Sequence, residues 1–438
     1  MRKNVTMVGA AVAAMLWCAA AQGGMDRTRL NVGAYFLSDW IFTEQRAKEF
    51  ADCNLDFVVL MQNRRDHLDV LHKYGVGAIV TKVVPGSWGV ELPPGEGRIA
   101  DRAKDELYEK AAAAFKDHPA IWGIDIGDEP SSIDYPHYAH VVRKFGEWFP
   151  GKLPYLNLYP NYAFGPWISE EKALQQLGVS RYRDYIAKYC ATVPLDYLSY
   201  DFYVYSSTVS RAYANLQIAA DACRGSGKSL WIVIQVNSEH KERWIAENGL
   251  RFQAYTAMAY GAETIMWATY HNGWWYNKVL EGNGEKTQQY DKLQRVNAEL
   301  RRLGPEYMKY RNQSTFLVGS AGTNDWFTAS GQLPVRQFGD EAFRGLCADD
   351  GGPLVVGSMV ARSGNCDRAA FVCAADDPYD CAPQMRTVRF RCEGRAVKAY
   401  GTDGEIPLAR SEDGVYSFKL QSNRAALLVG AWASKRAW

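Results

Sequence analysis

The chain has 438 residues, of which 47% are hydrophobic, enough for a sizeable core and for two or three domains, or for one α/β barrel with an appendage. Its 50 basic and 49 acidic residues leave a formal net charge of +1, which supplies no field to steer nucleic acid or an acidic surface toward it and points to a neutral partner. Aromatic residues reach 13%, with 14 Trp and 26 Tyr, more than a core alone tends to need, so some of these rings are expected to face a ligand.

The first residues carry Arg2 and Lys3, an apolar run from Val8 to Trp17, and then small residues. This pattern predicts a secretory signal peptide over residues 1–21, cut after Ala21, and an exported protein, periplasmic or secreted. The bulky Trp17 before Cys18 argues against a lipid anchor. No later segment approaches the ~18 apolar residues of a membrane helix. Export places the remaining cysteines where disulfides can form, but Cys347, Cys366, Cys373, Cys381 and Cys392 are an odd set, and Cys53, Cys190 and Cys223 read as buried thiols.

Short apolar, β-branched or aromatic runs then alternate with helical stretches. The strand candidates are Leu30–Leu37, Leu55–Gln62, Val76–Val84, Ala120–Gly127, Leu153–Tyr159, Leu195–Tyr205, Ser229–Val236 and Glu263–Tyr270. Helical patterns between them include EQRAKEFADC, SRYRDYIAKYCA and LRFQAYTAMAYG. This alternation predicts an α/β fold, a (β/α)8 TIM barrel over residues 25–308. A doubly wound open sheet is the alternative, but its glycine-rich first turn is missing. From Asn312 onward, short alternating runs such as STFLVG, RAAFVCAAD and AALLVGAW are separated by Gly, Asp, Asn and Pro, which predicts a C-terminal antiparallel β-sandwich over residues 309–438.

In such a barrel, chemistry sits where strands end. The fourth strand runs straight into two acids and a proline in AIWGIDIGDEPSS, with Asp128, Glu129 and Pro130 at the rim. One reading makes Asp128 or Glu129 the cap of the next helix. The other places a carboxylic acid where a reaction needs one. Two adjacent carboxyls beside aromatic rings such as Trp122 raise each other's pKa, which suits an acid that must stay protonated near neutral pH.

The stretch HPAIWGIDIGDEPS, the eighth strand GAETIMWATYHN and the following GNGEKTQQYDKLQRVNAEL resemble the clan of (β/α)8 retaining glycoside hydrolases whose fourth strand ends in Asn-Glu-Pro or a variant. The likeness is closest to β-galactosidase-like (glycoside hydrolase family 42-like) proteins, in which β domains follow the barrel, and it covers about residues 30–305. It implies Glu129 as general acid/base, and Asp128, in the place of the usual Asn, as a contact for the sugar's 2-hydroxyl. Asp128 can accept that hydrogen bond but cannot donate as an amide would.

The resemblance also implies a nucleophilic Glu at the end of strand seven, where this chain has Gln235. An amide cannot attack, so Gln235 is expected only to contact substrate. Asp201, set in the otherwise apolar and aromatic LSYDFYVY, is the first candidate for the second carboxylate, since a buried acid is costly unless paired or functional. Glu239, four residues beyond Gln235, is the second, if its loop folds inward. Strand-end aromatics supply a sugar platform: Tyr35, Tyr159, Tyr203, Trp267 and Trp275 are expected to bind substrate, with Trp40, Trp88 and Trp274 in the same set.

Other patterns carry less. RGSGKS lacks the first glycine of a phosphate loop and runs from helix to strand, HYAH lacks a third metal ligand, and no GxSxG elbow exists. No cofactor or metal is expected, and the partner is a carbohydrate rather than a nucleic acid or a membrane. Two function classes stand: a secreted glycoside hydrolase acting on neutral oligosaccharides or glycans, or a carbohydrate-binding barrel that has lost a catalytic carboxylate. Oligomeric state is not legible from the sequence.

Overall fold

The computed structural model describes residues 24–86, 98–319, 326–379, 382–394 and 396–431. The expected signal peptide, Trp88 and Cys381 lie outside the described residues. Eight parallel strands close into a barrel in chain order, β8 pairing with β1. They are β1 (Asn31–Tyr35), β2 (Phe57–Met61), β3 (Gly77–Val80), β4 (Ile121–Asp128), β5 (Leu153–Leu158), β6 (Tyr197–Asp201), β7 (Ser229–Gln235) and β8 (Ala262–Ala268). The open sheet is thereby excluded.

The outer layer includes α1 (Glu44–Asp52), α2 (Arg65–Lys73), α3 (Asp105–Phe115), α4 (Tyr135–Trp148), α5 (Glu170–Leu177), α6 (Tyr182–Thr192), α7 (Val209–Ser226), α8 (Glu247–Ala259) and α9 (Gln288–Tyr307). Hydroxyl side chains of Thr43, Ser169, Thr208 and Thr287 accept first-turn amide hydrogen bonds at the starts of α1, α5, α7 and α9. Helix α4 begins at Tyr135 with Asp134 as its N-cap residue. Asp128 and Glu129 therefore do not cap it, which removes the capping reading of the paired acids.

Side chains fill the barrel in layers, as expected of this architecture. At its base, Tyr197 stacks on Trp231 with centroids 4.1 Å apart, Trp122 lies 6.1 Å from Phe57, and Arg27 covers Trp231 at 4.9 Å. Above them the hydroxyls of Tyr35 and Tyr155 meet at 2.6 Å, and Tyr155 also reaches Met266 Sδ at 3.6 Å. The polar groups lie above this layer, at the carboxyl ends of the strands.

The C-terminal region forms two antiparallel sheets around a second apolar core that includes Phe343, Val356, Val372, Phe390, Phe418 and Leu428. Its strands are β9 (Tyr310–Val318), β10 (Phe343–Ala348), β11 (Leu354–Ala361), β12 (Arg368–Ala374), β13 (Met385–Cys392), β14 (Ala396–Gly401), β15 (Gly404–Ile406), β16 (Ala409–Arg410), β17 (Tyr416–Gln421) and β18 (Ala425–Ala431). One sheet runs β10-β13-β17-β16, the other β15-β14-β18-β12-β11-β9. This is the expected β-sandwich.

The larger sheet lies against α8 and α9. A Cβ at Gly357 would stand 2.3 Å from the Ala259 carbonyl, so only glycine permits that approach, and Tyr307 meets Phe371 at 5.3 Å. A buried ionic knot secures the same face: Arg251 donates to both oxygens of Glu299 at 2.9 and 2.7 Å, Tyr255 adds 2.8 Å, and Arg424 of the sandwich lies 3.3 Å away. The seven cysteines Cys53, Cys190, Cys223, Cys347, Cys366, Cys373 and Cys392 are free thiols.

Candidate active site

The site begins with an irregularity in β4. Its pairing with β5 shifts between Asp125 and Gly127, so that Asp125 sits opposite Tyr155 and Asp128 opposite Asn157. In an unbroken strand two residues three apart face opposite sides. The extra residue turns Asp125 and Asp128 toward the same interior, where the charge of Asp125 adds to Asp128's cost of ionising. Gly127 faces outward, where a Cβ would come within 2.5 Å of the Tyr138 hydroxyl on α4. Glu129 follows with φ of +49°, a left-handed conformation that a non-glycine residue adopts only where its surroundings impose it, and its amide donates to the Asn157 carbonyl at 2.9 Å.

Asn157 organises the carboxylates. Its Nδ2 donates to Asp128 Oδ1 at 3.2 Å and to Asp201 Oδ1 at 2.9 Å, while its Oδ1 accepts from Ser199 Oγ at 2.9 Å. Tyr162 donates to the other oxygen of Asp201 at 3.1 Å. The Glu129 side chain completes the group by hydrogen-bonding Asp201. The structure thus brings together Glu129, Asp201 and Asp128 from ends of β4 and β6 that are 72 residues apart in sequence between Glu129 and Asp201.

Electrostatics follow from enclosure. Asp125 and Asp128 keep slight solvent contact, yet protein atoms surround them, and loss of hydration dominates. Burial pushes Asp125 up to about 6 against hydrogen bonds from Thr81 and the Gly127 amide. Burial, then the charges of Asp201 and Asp125, raise Asp128 to about 8. Burial raises Asp201 to about 6, opposed by Asn157, Tyr162 and Glu129. Asp128 therefore keeps its proton at neutral pH, and its titration is tied to that of Asp201.

Aromatic rings roof this recess. Tyr203 meets Trp275 edge-on at 5.1 Å and Trp274 at 5.7 Å, and Phe36 meets Trp274 at 6.0 Å. Tyr35, in the layer below, lies close enough to feel the Asp128 charge. Tyr159 is half-buried, its ring 6.3 Å from Tyr185 of α6.

Three expectations need correction. Trp267 does not face the mouth: it is fully buried and donates from Nε1 to Asn297 on α9 at 2.9 Å, because Met266 beside it takes the inward position. Gln235 is fully buried and unavailable to substrate: its Oε1 accepts from the Tyr205 amide at 3.0 Å and its Nε2 donates to Ser206 Oγ at 3.1 Å, so it anchors the turn after β6. The sandwich holds the same turn, since Tyr205 donates to the Pro378 carbonyl at 3.0 Å and its ring meets Tyr379 at 5.1 Å. Glu239 is exposed in the loop after β7 and, among the described residues, makes no hydrogen bond or ion pair with the carboxylates.

Asn157, Tyr162 and Asp125 were not singled out from the sequence. The one available signal was a polar residue in an apolar strand, which applies to Asn157 in LPYLNLY as it does to Asp201. Among the described residues no cluster of three or more His, Cys, Asp or Glu has the arrangement of a metal site. His140 of the HYAH pair instead meets Asp105 at 2.8 Å.

Neither a family model nor a curated protein sequence matches the chain. Among solved structures, a glycoside hydrolase family 42 β-galactosidase from G. stearothermophilus superposes with a TM-score of 0.56 over 93% of this chain and 100% of its own, at 8% identity. A cycloisomaltooligosaccharide glucanotransferase from Paenibacillus sp. does so with a TM-score of 0.51 over 92% and 85%, at 9% identity. At such identities the likeness is one of fold: the chain has the (β/α)8 barrel with a following β domain found in glycoside hydrolases.

Proposed function

We propose that the chain is a glycoside hydrolase that cleaves O-glycosidic bonds of neutral oligosaccharides or glycans, with Glu129 as proton donor and Asp201 as the second carboxylate. The observation that carries this reading is the hydrogen bond between the Glu129 and Asp201 side chains at the carboxyl end of the barrel. Two carboxyl groups in contact must share a proton, which leaves one acid and one carboxylate side by side. The acid protonates the leaving glycosidic oxygen, and the carboxylate meets the oxocarbenium-like carbon. Asp201 either attacks that carbon or activates a water, the retaining and inverting arrangements needing about 5–5.5 Å and about 6.5–9.5 Å between the two groups once the sugar is bound. Asp128, protonated at neutral pH, donates or accepts at a sugar hydroxyl, and the rings of Tyr203 and Trp275 offer a face to the sugar's C–H bonds. A β-galactosidase-like specificity and export through the leader belong to the same proposal.

The test is hydrolysis of a panel of aryl glycosides and neutral oligosaccharides. Glu129→Gln is expected to lower turnover by about 10² to 10⁴ on substrates with poor leaving groups, the usual general-acid contribution, with folding intact. A fully active Gln variant would remove Glu129 from the mechanism. A second reading, a barrel that binds saccharide without cleaving it, is favoured by the absorption of Gln235 into a structural turn. It predicts saccharide binding without turnover on every member of the panel.

A further inference from the structure

Beyond the carboxylate recess, the C-terminal face of the barrel carries two clefts that the chemistry above does not use. One, of about 410 Å³, is lined by Trp40, Trp244, Tyr276, Lys241, Glu242 and Glu281 among others. The other, of about 430 Å³, adjoins Thr43, Gln45 and Arg46. Trp40 lines both, so its indole stands as a ridge between them, 67% exposed. Its orientation is set from beneath: the ring meets His271 edge-on at 5.7 Å, and buried His271 is itself held by Ser38 Oγ at 3.0 Å from Nδ1.

A single segment separates the first cleft from the recess. Trp274 and Trp275 pack on Tyr203 on the inner side, while the next residue, Tyr276, is 53% exposed on the outer side. This wall carries left-handed backbone at Asn272, Trp275 and Asn277, with φ of +59°, +63° and +57°. Such strain persists only where the surroundings over-determine it. They do so here: Tyr276 and Ser238 exchange backbone hydrogen bonds at 2.8 and 3.0 Å, and Asn277 Nδ2 donates to the carbonyls of His240, Lys241 and Arg243 at 3.2, 3.0 and 2.8 Å. The wall is a rigid partition with aromatic rings on both faces.

The chemistry of the outer side points to one ligand class. Each cleft falls in the ~300–1,000 Å³ range of small-molecule sites. In the first cleft Lys241 and Lys278 are balanced by Glu242 and Glu281, which selects no net charge. Exposed indole and phenol rings beside short-range donors and acceptors suit a pyranose, which has an apolar C–H face and hydroxyl edges. We propose that the two clefts form one saccharide-binding trough, with Trp40 as its stacking platform, that holds a neutral glycan chain away from the carboxylate pair. The inference rests on the glycosidic reading of that pair, since a trough sharing a wall with it holds another part of the same chain.

The test is electrophoresis of the full chain in native gels cast with soluble β-1,4-galactan, xyloglucan, galactomannan or dextran. At least one of these polysaccharides is expected to retard the wild type and the Glu129→Gln variant equally. Trp40→Ala should weaken that association by about tenfold, the scale of one lost aromatic contact, and Trp40→Phe should restore part of it. An unchanged melting temperature shows that the exposed substitution leaves the fold intact. Retardation by none of the four, or equal retardation of Trp40→Ala and wild type, overturns the trough. Retardation that depends on Trp40 in a protein without hydrolytic activity keeps the trough and removes the hydrolase reading. Activity with retardation indifferent to Trp40 does the reverse.

Discussion

Asn157 is the most informative position to perturb, because one amide group serves two buried carboxyls. In Asn157→Leu the hydrogen bonds to Asp128 (3.2 Å) and Asp201 (2.9 Å) disappear together. A hydrogen bond to a charged group contributes roughly 1.5–3 kcal/mol, and one between neutral groups roughly 0.5–1.5 kcal/mol. At pH 9, with both carboxyls ionised, the loss is about 3–6 kcal/mol; at pH 4, with both protonated in the folded protein, it is about 1–3 kcal/mol. The folded-state pKa values of both groups are raised, so their contribution to stability is present at low pH and is lost as pH rises through about 6 and about 8. Removing Asn157, which opposes the rise in both, pushes these values higher still and steepens that loss. Urea unfolding of wild type and variant at pH 4 and pH 9 measures the effect, and comparing the two pH values cancels the packing change made by leucine. A destabilisation about 2–3 kcal/mol greater at pH 9 is expected. An equal destabilisation at both values would refute the argument that Asn157 acts by sustaining charge on Asp128 and Asp201.

Asp125→Asn should stabilise the protein by about 2–3 kcal/mol at pH 8 and little at pH 4, since the raised pKa of Asp125 marks stability lost as pH climbs from 3.8 through about 6; thermal melting across that range checks it. Trp267→Phe should cost about 1–3 kcal/mol by stranding Asn297 Oδ1, with KM unchanged, and a raised KM would return Trp267 to the substrate site. Arg251→Ala, which leaves buried Glu299 without its main partner, should cost about 3–5 kcal/mol in denaturant unfolding while sparing activity in the folded fraction.

The sequence by itself determined the architecture, because periodicity records which faces are buried. Eight β-branched and aromatic runs spaced by helical patterns predict a parallel sheet of barrel size, whose closure the structure shows, and the change to short alternating runs after Asn312 predicts a second, antiparallel core. It also exposed Asp128, Glu129 and Asp201, since ionisable groups at the ends of apolar strands are costly wherever they fall. The directions in which side chains point were decided by tertiary structure. Strand parity sends Trp267 outward to Asn297 although its place near the end of β8 pointed to the mouth, and the turn after β6 consumes the Gln235 amide. The shifted register at Asp125–Gly127 decides most: it turns a fourth acid, Asp125, to the same side as Asp128, and no local propensity encodes a single inserted residue whose effect depends on the strand beside it. Likewise Asn157 acquires its role only because barrel closure sets β5 between β4 and β6, where one amide can reach a carboxylate on each side.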